Sequence, residues 1–376
     1  MSTGTHIVRS LRSDLGQRPF LVIWEVTRAC GLVCRHCRAD AVAHRDPLEL
    51  ETDDGRRLLD DLAEYGAPRP IVVLTGGDPF QRPDLVELVA HGSAAGLSMS
   101  LSPSVTPLLT RDALAALRTA GAHAISLSLD GHTATSHDGM RGVPGVFEAT
   151  IEAARHVREL GFRLQINTTV TAENVMELPD VLNIVLGLDA TLWSVFFLVP
   201  TGRGALLPQL TAEDTEVVLH WLHDVSPYVA VKSTEAPHFR RIAIQRASGA
   251  RGPGGALRRA LDERTAEVLA GASRRSSGPR PPLNVNAGRG FAFIDHQGTV
   301  YPSGFLPAPV GSVRQDRFSD IYRDSPLLQS LRDPGQFVGR CGRCEFHEVC
   351  GGSRSQAYAA TGDALGDDPT CVHRPS

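Results

Sequence analysis

The sequence predicts an α/β protein built as a partial (β/α)6 barrel, followed by a small C-terminal metal-binding domain. From Phe20 to about Val231, short apolar runs alternate with amphipathic stretches of helical spacing. This alternation is typical of parallel strands joined by helices, because such strands are buried on both faces. The seven cysteines form two groups, three between positions 30 and 37 and four between positions 341 and 371. Their separation predicts two metal sites.

The barrel is predicted from six apolar runs, each of which is a strand candidate. They are Leu21–Val26, Ile71–Thr75, Ser98–Leu101, Ala124–Leu129, Arg163–Val170 and Thr191–Val199. The helices predicted between them are Asp53–Tyr65, Asp84–Ala95, Arg111–Thr119, Val146–Leu160 and Leu178–Leu186. Six units fit a partial barrel better than a closed eight-fold one, and reactive groups in such barrels lie on the loops that follow the strands.

Four regions are predicted along the chain. They are an N-terminal extension (1–19), the partial barrel (20–232), a helical linker or insert (233–285) and a C-terminal domain (286–376). The insert is rich in Arg, Gly, Ser and Pro around one predicted helix, Ala256–Ala270. The C-terminal domain opens with a hairpin signal, in which Asp295-His-Gln-Gly298 separates two short apolar runs.

The composition excludes several classes of partner. The net charge of -4 gives no reason to expect nucleic acid, and the arginines of the insert are not interleaved with aromatic residues. No apolar run has the length of a membrane span, and the first twenty residues lack the apolar core of a signal peptide. We therefore expect a cytoplasmic protein, in which reduced cysteines are metal ligands rather than disulfides.

The first metal site is predicted on the loop after the first strand, where Cys30, Cys34 and Cys37 stand close together. Three thiolates can bind three corners of a [4Fe–4S] cluster and leave the fourth iron open to a ligand. A zinc site that uses His36 as its fourth ligand is the alternative. The cysteines alone leave both interpretations open.

Small and polar residues follow the next strands of the predicted barrel. Two glycines in a turn allow the backbone to approach a ligand closely, and an arginine can pair with a carboxylate. The candidates are Gly76, Gly77, Asp78, Ser102, Ser128, Asp130 and Arg141. Their positions after successive strands favour one ligand site at the same end of the barrel as the cysteines.

Together these motifs resemble the radical S-adenosylmethionine (SAM) superfamily. Its CxxxCxxC triplet is matched by Cys30, Cys34 and Cys37, and its glycine-rich motif by Gly76–Pro79, with Asp78 where glutamate is commoner. The segment Ser128-Leu-Asp-Gly131 matches a further motif. One departure is His36, which stands where many members carry an aromatic residue.

The resemblance implies a [4Fe–4S] cluster that cleaves SAM to a 5′-deoxyadenosyl radical, which abstracts hydrogen from a substrate. It also implies a one-electron donor such as flavodoxin or ferredoxin. The residues expected to contact SAM are Gly76, Gly77, Asp78, Ser102, Ser128, Asp130, Arg141 and Asn167.

The second metal site is predicted from Cys341, Cys344, Cys350 and Cys371. Four thiolates suit tetrahedral zinc or a fully ligated [4Fe–4S] cluster. After a radical SAM barrel, the pattern resembles the SPASM-type extension, which implies one auxiliary [4Fe–4S] cluster. Electron transfer is its expected role, and a purely structural role is the alternative.

Two segments, Glu235–Arg241 and Cys350–Asp363, resemble the radical SAM enzymes of haem and haem d1 synthesis. This resemblance implies modification of a tetrapyrrole propionate, for example by oxidative decarboxylation. We then expect His238 to approach a haem iron, and Arg240 and Arg241 to pair with propionates. The alternatives are modification of a ribosomally made peptide, and dehydrogenation or epimerisation of a small sugar-like metabolite.

Overall fold

The computed structural model describes residues 7–11 and 13–375, and its centre is a sheet of parallel strands. The first seven strands are β1 (Leu21–Thr27), β2 (Ile71–Gly76), β3 (Ser98–Leu101), β4 (Ala124–Ser128), β5 (Arg163–Val170), β6 (Leu192–Phe197) and β7 (Val231–Thr234). They lie side by side in chain order, and each neighbouring pair is parallel. The predicted α/β class with a parallel sheet is confirmed.

Helices connect the strands, as parallel neighbours require. They are α1 (Thr52–Ala63), α2 (Leu85–Ala94), α3 (Arg111–Thr119), α4 (Ala134–Arg141), α5 (Val146–Glu159), α6 (Leu178–Gly187) and α7 (Ala212–Val225). Short 3-10 helices follow three of the strands, at Pro79–Gln81, Val175–Glu177 and Gly202–Leu206. Helix α4 was not predicted, because its polar sequence lacks an apolar stripe.

One face of the strands packs against the helices and the other lines the inside of the barrel. Trp193 of β6 meets Trp221 of α7 edge-on at 6.0 Å, and its Nε1 donates to Thr168 Oγ1 at 2.9 Å. The residues between these outward positions face inward. Ser128, Asn167 and Ser194 are register partners on β4, β5 and β6, so they form one row on the inner face.

The C-terminal strands join the same sheet. They are β8 (Asn286–Ala287), β9 (Gly290–Ile294), β10 (Thr299–Tyr301) and β11 (Gly311–Ser312). Strand β9 pairs in parallel with β1, with Leu21 opposite Phe291, and β10 and β11 continue outward from it. The predicted hairpin is present, but it extends the barrel sheet. The division into four regions stays a prediction.

The remaining helices lie in the insert and the C-terminal part. They are α8 (Phe239–Ala247), α9 (Ala256–Val268), α10 (Phe318–Asp324), α11 (Pro326–Arg332), α12 (Gly339–Arg343) and α13 (Arg354–Thr361). Helix α9 contacts α6 and α7, with Leu261 buried and Thr265 Oγ1 accepting from Trp221 Nε1 at 2.8 Å. None of the helices in the described residues combines the length and apolar character needed to cross a membrane.

Candidate active site

The loop that carries Cys30, Cys34 and Cys37 begins directly after β1, at the carboxyl end of the sheet. On one side it is held by the turn after β2. The Gly77 N–H donates to Thr27 O at 2.8 Å, and the Asp78 N–H donates to Ala29 O at 2.7 Å.

The two glycines of that turn make the close approach possible. A Cβ on Gly76, whose φ is +152°, would lie 2.2 Å from Thr27 O, and a Cβ on Gly77 would lie 2.4 Å from Ala29 O. Both distances are far below van der Waals contact, so no other residue fits without moving the backbone. Close packing against the cysteine loop thus requires glycine at both positions, in addition to the predicted contact with SAM.

The other side of the cysteine loop rests on the end of α4 and on the 3-10 helix after β6. The Arg35 N–H donates to Met140 O at 2.8 Å, and Arg203 Nε donates to Cys34 O at 2.9 Å. Gly202 lies so close that a Cβ there would be 2.6 Å from Cys37 O. The loop is therefore fixed by backbone contacts from several parts of the barrel.

Two of the three sulfurs have polar side chains as neighbours. Ser104 Oγ donates to Gly77 O at 2.6 Å and lies 3.5 Å from Cys30 Sγ. Arg141 Nη1 donates to Cys34 Sγ at 3.6 Å. Burial raises the pKa of the Cys30 thiol, so bound metal would be needed to keep this sulfur as a thiolate.

Asp130 organises the charges beneath the loop. Its carboxylate lies 2.5 Å from Arg141 Nη2 and 3.0 Å from His36 Nε2, and it accepts from the Thr169 N–H at 2.8 Å. Burial would raise the pKa of Asp130, but Arg141 and His36 hold it well below its usual range. Both carboxylate oxygens are engaged, and His36 points to Asp130 instead of completing a zinc site.

The distances between sulfur atoms also distinguish a zinc site from a [4Fe–4S] cluster. Within the part of the chain that the structure describes, only Cys344, Glu345 and His373 form a trio of candidate ligands with donor atoms within 4.8 Å of one another. Three sulfurs on one tetrahedral zinc lie roughly 3.8 Å apart, because each Zn–S bond is about 2.3 Å. The wider spacing of the N-terminal cysteines fits a cluster, in which each sulfur binds a different iron.

The other predicted SAM contacts lie around the same end and inner face of the barrel. Asp78 is buried, with Oδ2 accepting from Thr106 Oγ1 at 2.6 Å, and burial raises its pKa. Ser102 follows β3, and its N–H donates to Leu74 O at 2.9 Å. Ser128 and Asn167 share the inner row. Contact of these residues with SAM stays a prediction.

The C-terminal cysteines line one cavity, together with Arg241, Phe346 and other residues of the C-terminal part. Arg354 is fully buried at its edge. It donates to Cys341 Sγ at 3.5 Å and to Gly366 O at 2.8 Å, and its guanidinium lies 4.5 Å from the centre of the Phe337 ring. This arginine places a fixed cation beside a cysteine sulfur.

The structure places the predicted substrate residues in buried positions beside the C-terminal cysteine site. His238 has no exposed surface, and its Nδ1 lies 3.7 Å from Asp368 Oδ2. Arg240 is buried and donates to Asn284 Oδ1 at 2.9 Å, while Arg241 pairs with Glu216 at 2.5 Å. Their polar groups are engaged by the protein itself, so contact of these residues with a haem iron or its propionates stays a prediction.

Sequence reasoning missed four residues that support the N-terminal cysteines. Ser104 and Thr106 lie in the polar segment after β3, which carries the same signal that identified Ser102. His137 accepts a hydrogen bond from the Asp130 N–H at 3.1 Å, and Arg203 holds Cys34 O. No local pattern marks His137 or Arg203. His137 bonds to a backbone N–H, and the partner of Arg203 is distant in sequence.

Comparison with known proteins agrees with this geometry. The family model described as the radical SAM superfamily matches residues 24–185. An AdoMet-dependent heme synthase of Oleidesulfovibrio alaskensis is 39% identical over 359 residues, which cover 94% of this chain and 87% of that protein. A PqqA peptide cyclase of Rhodopseudomonas palustris is 31% identical over 368 residues, covering 95% of this chain and 88% of the cyclase.

Among solved structures, Streptococcus suis SuiB bound to S-adenosylmethionine aligns with a TM-score of 0.67. The alignment covers 95% of this chain and 78% of SuiB at 15% identity, a likeness that shows the fold. The matched family, the near full-length relatives and the cysteine loop after β1 agree with one another. The chain belongs to the radical SAM superfamily, and it is an enzyme that binds SAM at a [4Fe–4S] cluster.

Proposed function

We propose that this enzyme modifies a propionate side chain of an iron-tetrapyrrole by oxidative decarboxylation. The observation that carries the proposal is the 39% identity to a protein named AdoMet-dependent heme synthase, sustained over 94% of this chain. The cysteine loop, its supporting turn and the polar inner row of the barrel are consistent with that chemistry.

The reaction balances as follows. A –CH2–CH2–COO⁻ group becomes –CH=CH2 and CO2, and it loses one hydrogen atom and one electron. The cluster with bound SAM supplies the group that takes the hydrogen atom, and Cys30, Cys34 and Cys37 would hold that cluster. Asp130 fixes Arg141 and His36 beside the loop, and Ser128 and Asn167 offer polar contacts to SAM. The enclosing barrel keeps water away from the reacting carbon.

The released electron needs an acceptor, and the C-terminal cysteines are suited to hold one. Cys341, Cys344, Cys350 and Cys371 would bind an auxiliary [4Fe–4S] cluster, which supplies one-electron chemistry. In the described residues no three of these four sulfurs lie close enough together for one tetrahedral zinc. Buried Arg354 and Arg241 place positive charge near the sulfurs, which favours the reduced and more negative state.

A second candidate function is radical modification of a ribosomally made peptide. The observation that favours it is the 31% identity to a PqqA peptide cyclase over 95% of this chain. The lower identity makes it the second choice. An external one-electron donor such as flavodoxin or ferredoxin is required in either case, because SAM cleavage consumes an electron.

The test uses the full chain, reconstituted anaerobically with iron and sulfide and supplied with SAM and dithionite. We expect iron-coproporphyrin III to change the visible spectrum of the protein, to raise 5′-deoxyadenosine formation, and to give a product lighter by CO2 and two hydrogen atoms. The readouts are absorbance, chromatography and mass spectrometry. Absence of all three responses would overturn the proposal, and turnover of a peptide instead would establish the second candidate.

A further inference from the structure

The inner row of the barrel ends in the only lysine of the chain. Lys232 on β7 is the register partner of Ser194 on β6, so the row runs from Ser128 through Asn167 and Ser194 to Lys232. Trp193 and Val195, the neighbours of Ser194 along β6, face the helices. Lys232 therefore points to the inside of the barrel, on the same face as two predicted SAM contacts.

The row places Lys232 within reach of a substrate bound beside SAM. Neighbouring strands lie about 4.8 Å apart, so the Cα of Lys232 is about 10 Å from that of Asn167. A lysine side chain extends roughly 6 Å, and its ammonium group rotates freely. Solvent reaches the Lys232 side chain, which shows that the space in front of it is open.

Among the described residues, the carboxyl group whose charge acts on Lys232 is that of Glu235. Glu235 accepts hydrogen bonds from Ser353 Oγ at 2.6 Å and Ser303 Oγ at 3.2 Å. Burial raises the pKa of Glu235, which favours its neutral form. Desolvation by the surrounding barrel atoms and the charge of Arg280 lower the pKa of Lys232 to about 8.

Arg280 belongs to a wider basic group near the amino-terminal end of the barrel. The charges that act on it are those of Arg9, Arg163 and Arg275, all positive. Arg163 begins β5, and the Arg275 N–H donates to Pro227 O in the connection before β7. Arg275 Nη1 is buried and has no partner in the described part of the chain.

An aromatic pair borders the same inner surface. Phe196 of β6 is the register partner of Thr234, two residues beyond Lys232, and its ring lies 6.4 Å from that of Phe305. Aromatic rings beside cationic groups suit a flat apolar ring system with carboxylates at its rim.

We propose that Lys232 binds a carboxylate of a polycarboxylate tetrapyrrole inside the barrel. This inference rests on the proposed function and deepens it, because it assigns a substrate-binding residue. The bound carboxylate is a propionate other than the one that reacts. Holding it fixes which propionate lies next to SAM.

The test compares substrate affinity in the reconstituted enzyme. Lys232→Met removes the charge at similar length, Lys232→Arg retains it, and Arg259→Met removes an equal charge from the exposed face of α9. Dissociation constants for iron-coproporphyrin III and for its tetramethyl ester are measured by absorbance titration. We expect Lys232→Met to weaken binding of the free acid roughly tenfold or more, since a charged hydrogen bond is lost. Lys232→Arg and Arg259→Met should stay near the parent value.

The ester separates a carboxylate contact from a change in barrel shape. We expect the parent enzyme to prefer the free acid to the ester, and Lys232→Met to lose most of that preference. Unchanged affinity and unchanged preference in Lys232→Met, with normal binding by the parent, would overturn this inference alone. Failure of the parent enzyme to bind any iron-tetrapyrrole would overturn the proposed function and this inference together. Should Lys232→Met reconstitute poorly, Lys232→Gln is measured in its place, because it also removes the charge, and an unchanged preference for the free acid would overturn the inference.

Discussion

The N-terminal cysteines lie on a loop fixed by its neighbours, whereas the C-terminal cysteines surround a cavity. In the first site, Arg141 donates to one of the three sulfurs, and Asp130 neutralises that arginine. In the second site, four sulfurs lie near the buried Arg354 and Arg241, and Arg354 donates directly to a sulfur. Three ligands leave an iron open to a substrate, and four ligands close the cluster. Two similar sets of cysteines are therefore suited to different chemistry, because they differ in the number of ligands and in the charges nearby.

Removal of one cysteine of the first site should have the largest effect. We expect Cys34→Ala to abolish SAM cleavage, because the cluster loses a ligand at the open site. The measurement is 5′-deoxyadenosine formation with dithionite, together with iron content. Loss of about four of about eight iron atoms per chain is expected. SAM cleavage at the parent rate would contradict the assignment of the first site.

The matching change in the second site should have a narrower effect. We expect Cys344→Ala to cleave SAM in the absence of substrate and to form no decarboxylated product, since the electron acceptor is lost. Both quantities come from the same chromatographic assay, with Cys34→Ala as its contrast. Full product formation by Cys344→Ala would reduce the C-terminal site to a structural role.

Adding one methyl group at Gly77 tests whether the turn after β2 holds the cysteine loop in place. A Cβ on Gly77 would lie 2.4 Å from Ala29 O, whereas a Cβ on Gly139 in α4 meets nothing within 4 Å. We expect Gly77→Ala to displace the cysteine loop and to lower both iron content and SAM cleavage by a factor of ten or more. Gly139→Ala is the matched control, and it should stabilise the helix by up to about 1 kcal/mol. Equal behaviour of the two variants would show that the turn does not hold the loop.

The smallest expected effect is a pH dependence of stability at the first site. Buried His137 accepts from the Asp130 N–H, and burial and Arg141 lower its pKa to about 4. An unfolded histidine titrates near 6.5, so below that pH the unfolded chain binds a proton that the folded protein does not. The free energy of unfolding should therefore fall by about 1 to 3 kcal/mol as the pH drops from about 6.5 to about 4.

This contribution of His137 is measured by anaerobic chemical denaturation at several pH values. His137→Gln removes the titrating group, and His123→Gln is the control because His123 is exposed. The difference between parent and His137→Gln should change with pH in that range, and the difference between parent and His123→Gln should stay nearly constant. Parallel pH profiles for all three proteins would show that His137 is not buried in its neutral form.

Much of the barrel and both cysteine groups could be predicted from the sequence. Continuous apolar runs define the strands, and short-range spacing defines the cysteine motifs. The environment of individual charges could not be predicted. Asp130 and Arg141 pair with each other, and His238 is fully buried. These outcomes depend on contacts between distant segments, which periodicity and local motifs do not report.

The same limit applies to the outer edge of β1. The apolar character of a strand indicates that it is buried, but it does not indicate which strand lies beside it. The pairing of β1 with β9 therefore could not be predicted from the sequence. The place of Lys232 in the inner row could not be read from the sequence either, because it follows from the register of β7. Such information exists only once the strands are aligned.

The pairing of β1 with β9 has a consequence for how the protein is made. The two strands are separated by about 270 residues, so the ribosome needs roughly 15 to 50 s to reach β9 after completing β1. Throughout that interval one edge of β1 carries unpaired backbone groups, directly beside the first cysteine motif. Exposed strand edges promote pairing between chains. The nascent chain therefore passes through a period of aggregation risk that ends only when its last third is synthesised.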